Sequence, residues 1–312
     1  MDAVAVHSRA SIEKGSKSFA TAARLFDAET RDSASMLYAW CRYCDDVIDG
    51  QEMGFASDAP QTQTPQARLA LLREQTASAF RGEHTTDPVM RAFQRVVQRH
   101  AIPEQCALDL LQGFRMDVEE FHYRTIDDTM AYCYHVAGVV GVMMAMIMDV
   151  RDEETLDRAC DLGLAFQLTN ISRDVLEDAA MGRCYLPEDW LLEAGVDPND
   201  LRNPANRTGL ARVARRLVEE AEPYYDSAVV GIARLPFRCA WAIAGARAVY
   251  RDIGRDVHKL GSAAWDSRVS TSRWRKVRLL LRASVRALLA RTVGRWREPP
   301  PRQGLWTRLR RH

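Results

Sequence analysis

Two stretches of the chain make the same demand on a fold. At roughly 3.6 residues per helical turn, Asn170, Asp174 and Asp178 stack on one face, with Arg173 beside them and Glu177 one step round. Asp45-Asp46-Val47-Ile48-Asp49 again puts two carboxylates, Asp45 and Asp49, one turn apart. Carboxylates four residues apart repel each other and weaken the helix that carries them, unless solvent or a cation screens them. A solvated acidic face explains one such row on its own. A second row shifts the reading toward a shared cation, and oxygen donors of this kind suit Mg²⁺ or Mn²⁺ better than zinc.

The rows need helices, and the rest of the chain supplies them. Met36, Leu37, Trp40, Val47 and Ile48 form the apolar side of a helix from Thr30 to Ile48, ended by Gly50. On its other side Tyr38, Arg42, Asp45 and Asp49 stand in line, resembling one wall of a site where Tyr38 and Arg42 hold a phosphate and the acids hold its metal. The polar stretch 51–64 reads as a loop. Pro65, Pro88 and Pro103 open helices reaching Phe80, His100 and Phe121. Further helices are expected over Thr155 to Ala179, Leu210 to Leu235 and Phe237 to Lys259, with no convincing run of alternating strand residues. The expected class is all-α.

With 312 residues, 47% of them hydrophobic, the chain can bury a large core. No internal repeat or linker divides it, so residues 1–298 are expected to form one domain, followed by a basic Pro/Arg-rich tail, 299–312. The formal charge of +1 conceals an asymmetry: from Arg268 onward there are fourteen Lys/Arg and one acid, leaving a body of net charge −12. An acidic body argues against a nucleic-acid partner, while the basic end suits a local anionic one. In that end Trp274, Leu279, Leu280, Leu281, Val285, Leu288, Leu289, Val293 and Trp296 alternate with arginines. Both an interfacial helix on an anionic membrane and a last bundle helix with a frayed tail fit this pattern.

Seven cysteines and no recognisable signal peptide read as reduced thiols of a cytosolic protein, which would be peripheral on the inner face of the membrane if the basic end binds it. Cys41-Arg42-Tyr43-Cys44 has redox spacing but lies inside a helical segment, and is read as packing. The apolar run Val136 to Met148 spans 13 residues, too short for a membrane crossing and suited to a buried helix. Ala137, Gly138 and Gly141 leave one face of it nearly bare, for close packing or for an apolar groove, while His135 reads as a hydrogen-bonded structural histidine. Gly15-Ser16-Lys17-Ser18-Phe19 ahead of an Ala-rich segment fits either an anion-binding helix start or an ordinary Ser cap.

In their order and spacing these pieces resemble the signature of squalene and phytoene synthases. They are Ser16 to Phe19, Tyr38 with Arg42 and Asp45 to Asp49, Tyr132 to Gly138, Gln167 to Asn170 running into Arg173 to Asp178, Gly182 to Pro187, Tyr250 and Arg268. The likeness covers about residues 15 to 275, and Leu37 to Arg42 with Leu162 to Ile171 are most similar to the bacterial phytoene-forming branch. The resemblance implies an isoprenoid-synthase-like helical bundle around a central cavity. It further implies Mg²⁺- or Mn²⁺-dependent head-to-head condensation of two geranylgeranyl diphosphates, through prephytoene diphosphate, to phytoene. By the same resemblance Asp45, Asp49, Asn170, Asp174 and Asp178 would hold metal. Ser16, Lys17, Ser18, Phe19, Tyr38, Arg42, Gln167, Arg173, Tyr185, Tyr250 and Arg268 would bind substrate, and Tyr132 would join Arg42, Arg173 and the four aspartates as catalytic. Asp46 and Glu177 point away from the stacked row and would support it. No dinucleotide fingerprint is present, so NADPH is not expected. The alternatives are a squalene or dehydrosqualene synthase using farnesyl diphosphate, and a non-catalytic relative, which would be expected to have lost carboxylates from the rows.

Overall fold

Several of the helices begin or end on a residue suited to that job. The computed structural model describes residues 23–52, 55–56, 63–292 and 302–308. Helix α1 (Ala28–Asp49) starts where the Asp27 carboxylate accepts the Thr30 amide at 2.9 Å, and stops at Gly50, whose φ of 63° is left-handed. Gln51–Glu52 and Phe55–Ala56 pair antiparallel inside the stretch read as a loop. Helices α2 (Pro65–Arg81), α3 (Pro88–His100) and α4 (Glu104–Val118) follow, with Pro65 and Pro88 in first turns as expected.

A Thr125/Asp128 capping box opens α5 (Ile126–Cys133), which passes through a π-turn, Tyr134–Gly138, into α6 (Val139–Ile147). In that turn the Val139 amide donates to the Tyr134 carbonyl, five residues back. Ile126–Ile147 is therefore long and apolar enough by composition to cross a membrane, a length that the 13-residue apolar run alone did not suggest. Of its most apolar window 67% is buried inside the protein, as in a core helix.

Asp152 caps the long α7 (Glu153–Ala180), whose inner face packs on α6, on α9 (Arg207–Arg234) and on α10 (Phe237–Leu260). Between them lie the short α8 (Glu188–Glu193) and a 3₁₀ turn, Pro204–Asn206. Another 3₁₀ turn, Gly261–Trp265, leads to α11 (Arg273–Thr292), which rests on α10. The all-α expectation holds, and the helix limits fall within a few residues of those read from the sequence.

Small residues set how closely α7 approaches the α5–α6 hairpin. A Cβ built on Gly163 would stand 2.3 Å from the Ala137 carbonyl oxygen, and one on Gly141 2.4 Å from that of Ala159. The bare face serves close packing here, and its remaining length borders a cavity. His135 is structural, as expected: Nδ1 lies 2.8 Å from the Asp109 carbonyl oxygen. Cys41 and Cys44 are unbridged, like all seven cysteines.

Of the segment set apart as a tail, residues 302–308 instead form a strap against α7 and α9. The Arg302 guanidinium pairs with Asp161 at 2.8 and 2.6 Å, and Arg308 pairs with Asp157 at 2.9 Å and with Glu153. The Trp306 amide donates to the Tyr224 hydroxyl at 3.0 Å, and its ring lies 5.2 Å from that of Tyr134. Asp157 and Asp161 are buried, which is why arginines follow them inward. These seven residues therefore pack against the bundle.

Replacing Gly163 by Ala forces overpacking against backbone that cannot yield, so we expect a loss of about 1–3 kcal/mol. Urea unfolding of Gly163→Ala beside the parent protein measures it; an unchanged midpoint would mean that the helices separate freely.

Candidate active site

The two acidic rows lie on α1 and α7 and meet through the turn that follows α7. Gly182, at φ 76°, reverses the chain, and the Arg183 amide donates to the Asp178 carbonyl at 2.9 Å. The Arg183 side chain then reaches across to α1 and forms a two-pronged ion pair with Asp49. Burial alone would lower the Arg183 pKa; the hydrogen bond to Asp49 and the fields of Tyr185, Asp49 and Asp117 outweigh it and hold the guanidinium firmly charged. Arg183 also acts electrostatically on Asp45 and Asp178. Arg183 thus joins the two rows.

The other arginines sit on the rows as well. Arg42 bridges Asp45 at 2.9 Å and Asp46 at 2.7 Å, so Asp46 faces the guanidinium and not the row. Arg173 pairs with its neighbour Asp174, and Arg268 approaches Asp174 at 3.3 Å and Glu177 at 3.7 Å. Among the described residues no arginine forms an ion pair with Asp178, although the fields of Arg183 and Arg173 reach it. Burial first, then the adjacent Asp174 charge, push its pKa from 3.8 up to about 7. Asp45 is raised to about 6, again chiefly by burial, although two fifths of its side chain remains in solvent.

Among the described residues no three carboxylate, imidazole or thiol groups converge to hold a cation as they stand. The donor set nevertheless fits a hard divalent ion. Asn170 donates through Nδ2 to Gln167 at 3.3 Å, which leaves its buried Oδ1 with no hydrogen-bond partner. An orphaned amide oxygen one turn from Asp174 is costly unless something electropositive meets it.

Beyond Asn170 the site turns apolar. Tyr38, Cys41, Gln167, Asn170 and Tyr250 stand around one part of a cavity of ≈ 310 Å³, and Phe26, Met144, Met148, Ile232 and Leu235 line other parts. Along α7 the lining runs from Asn170 to Thr155, about 22 Å at the helical rise per residue. Burial pushes the Tyr38 phenol up to about 12. Phe166 and Tyr250 stack within the lining, their centroids 4.3 Å apart.

Tyr132 and Tyr185 stand together beside the rows, within the electrostatic reach of Arg183 and Asp49 through Asp117. Their rings stack at 4.5 Å, and both hydroxyls donate to the Asp117 carboxylate on α4, at 3.2 and 3.0 Å. Tyr123 packs edge-on against both rings. Asp117 is raised to about 6 because burial outweighs Arg183 and the two phenols. A second, polar cleft of ≈ 530 Å³, lined by Asp117, Tyr123, Arg183 and Tyr185, opens on this side. Ser16, Lys17, Ser18 and Phe19 lie outside the described residues. Sequence reasoning missed Arg183 and Asp117: the first was visible only as the lone cation of the Gly182–Pro187 turn, and the second is indistinguishable from its acidic neighbours.

Comparison with known proteins agrees with this geometry. The squalene/phytoene synthase family profile matches residues 12–275. The chain is 55% identical over 303 residues to 15-cis-phytoene synthase of Pantoea ananas, covering 97% of each chain. It is 57% identical over 297 residues to that of Enterobacter agglomerans, covering 95% of this chain and 99% of the relative. Among solved structures a ligand-bound dehydrosqualene synthase superposes with a TM-score of 0.79 at 31% identity, covering 90% of this chain and 95% of the other. A squalene synthase from Alicyclobacillus acidocaldarius gives 0.72 at 26%, covering 83% and 94%.

The raised carboxyl groups predict a pH dependence. A pKa higher in the folded protein than in the unfolded chain contributes stability that is complete below about pH 4 and lost as pH rises through the folded values. With divalent ions chelated, the urea midpoint should therefore fall as pH rises from about 5 to about 8, following the raised Asp117 and Asp178. Asp178→Asn should flatten that fall; equal slopes for the two proteins would show that Asp178 does not carry it.

Proposed function

Because the chain belongs to the squalene/phytoene synthase family, we infer that it is a prenyltransferase that makes phytoene, the hydrocarbon that commits isoprenoids to carotenoid synthesis. We propose that it joins two molecules of geranylgeranyl diphosphate head to head through prephytoene diphosphate. The observation that carries this reading is Asn170, whose unpartnered oxygen lies where the carboxylate rows give way to the apolar cavity. A polar group that ionises and a long apolar chain attached to it need that junction. The length of α7 that lines the cavity favours the longer geranylgeranyl chain over farnesyl.

Diphosphate leaves only when its charge is neutralised. Mg²⁺ or Mn²⁺ held by Asp45, Asp49, Asn170, Asp174 and Asp178 would supply that neutralisation when bound. Arg42, Arg173, Arg183 and Arg268 are at hand to take phosphate oxygens in exchange for their carboxylates, with Ser16, Lys17, Ser18 and Phe19 as further binding groups. The allylic cation left behind reacts with water unless water is kept out. The lining from Phe26 to Leu235 does that, and Tyr250 and Phe166, stacked on each other, are the aromatic groups of that wall beside Asn170. NADPH has no part in this reaction, since hydrogen is lost as a proton.

The substrate and product are lipids, and α11 offers a surface for them. Trp274, Val277 and Leu281, three and four residues apart, are 85%, 47% and 61% exposed, with Arg278 and Arg282 exposed beside them. We propose that this face rests on an anionic membrane on the cytoplasmic side. Sedimentation with phosphatidylglycerol vesicles tests it: Trp274→Ser with Leu281→Ser should abolish binding, and equal binding by both proteins would refute it.

Incubation of purified protein with Mg²⁺ and geranylgeranyl diphosphate, without NADPH, should yield a forty-carbon hydrocarbon with a central triene. Asp174→Asn should lower kcat by about 100- to 1000-fold, as expected when several kcal/mol of charge stabilisation is lost. A thirty-carbon product formed only from farnesyl diphosphate would overturn the substrate assignment and leave the fold and mechanism standing.

A further inference from the structure

Another pair of carboxylates one turn apart lies away from the two acidic rows, and its surroundings differ from theirs. Asp157 and Asp161 lie on the first half of α7, 2% and 0% exposed, and their main cations come from the strap, outside the region that the family profile matches. Arg302 grips Asp161 with both prongs and reaches toward Asp157 at 3.7 Å, while Arg308 holds Asp157. Asp161 in turn accepts a hydrogen bond from the Ser227 hydroxyl on α9, and that hydroxyl accepts one from Arg158 at 2.9 Å. Arg158, 4% exposed, borders the cavity together with Thr155, Ala159 and Gly231. A Cβ on Gly231 would come within 2.7 Å of Arg158 Cβ, so the arginine's stem is pressed against α9.

Counting along α7, Arg158 stands twelve residues from Asn170, about 18 Å away at the helical rise. It is therefore placed where the tail of a prenyl chain would end, if the diphosphate lies at Asn170. We propose that the strap Arg302–Arg308 is a positioning element for that far end. Through Asp161 and Ser227 it fixes the Arg158 side chain and so limits the length of prenyl chain that the cavity accepts. This rests on the reading of the cavity as the prenyl site.

The physical reason is a competition for Asp161. While Arg302 satisfies that buried carboxylate, Arg158 stays with Ser227 at the cavity wall. Without the Arg302 charge, Asp161 is a buried anion whose field already acts on Arg158, and that attraction, stronger than the 3.8 Å pairing of Arg158 with the half-exposed Glu154, draws the guanidinium off the wall. The cavity then lengthens at that end.

Arg302→Gln tests the strap, and Ser227→Ala tests the relay with the strap's ion pairs in place. Each is assayed with Mg²⁺ on geranylgeranyl diphosphate and on the homologue one isoprene unit longer. Both variants should raise the ratio of kcat/KM for the longer over the shorter substrate at least tenfold, mainly through a higher KM for geranylgeranyl diphosphate. Arg302→Lys, which restores a cation, should return most of the selectivity. If Arg302→Gln and Ser227→Ala melt at lower temperature while the ratio stays within twofold of the parent's, the strap is only a structural clasp and the proposal fails. If Arg302→Gln does not fold, Ser227→Ala decides alone. A parent protein that makes no hydrocarbon from any prenyl diphosphate would overturn the reading of the cavity itself, and the proposal with it.

Discussion

Carboxylates crowded beside an apolar cavity repel one another and lose their hydration, and the structure answers that problem with guanidinium groups. Arg42, Arg173, Arg183 and Arg268 each stand against a member of the acidic rows. Arginine suits this duty because it stays charged when partly buried and presents a planar fork to a carboxylate. The same property makes the arrangement exchangeable, since a phosphate oxygen competes for that fork on equal chemical terms. Asp178, which no arginine pairs with among the described residues, is left with its carboxyl pushed up to about 7.

Much of the site was legible because it is written in helical periods. Tyr38, Arg42, Asp45 and Asp49 fall on one face of α1, and Gln167, Asn170 and Asp174 on one face of α7, simply by their spacing. What spacing does not give is how faces meet. The Arg183–Asp49 pair joins residues 134 apart, and nothing local to either distinguishes it from a surface charge. Tyr132 and Tyr185 illustrate the same limit: their hydroxyls converge on Asp117, a residue with no periodic mark of its own. The C-terminal end was read by its charge total, which suits solvent, a membrane or a buried partner equally well. Only tertiary packing shows that Arg302 and Arg308 face inward and that Trp274 and Leu281 face outward.

The long helix α7 is what relates these parts to one another. Its first half holds the strap's carboxylates, its middle lines the cavity, and its last turns carry the second acidic row. Gly163 sits in the middle stretch and lets α5–α6 approach close enough to close the cavity's side. A rigid rod with three such stations converts residue number into distance, so the separation between the charged end and Arg158 is fixed by backbone geometry and not by side-chain packing alone.

The π-turn at Tyr134–Gly138 has a comparable role for the opposite wall. One residue more than an α-turn needs is accommodated there, which rotates everything after it by about 100° relative to an uninterrupted helix. Val140, Gly141 and Met144 face the cavity because of that offset. The identity of the wall is therefore stored in a count as well as in side chains. Two chains with the same apolar residues in this hairpin, but differing by a single insertion or deletion, would present different faces to whatever occupies the interior.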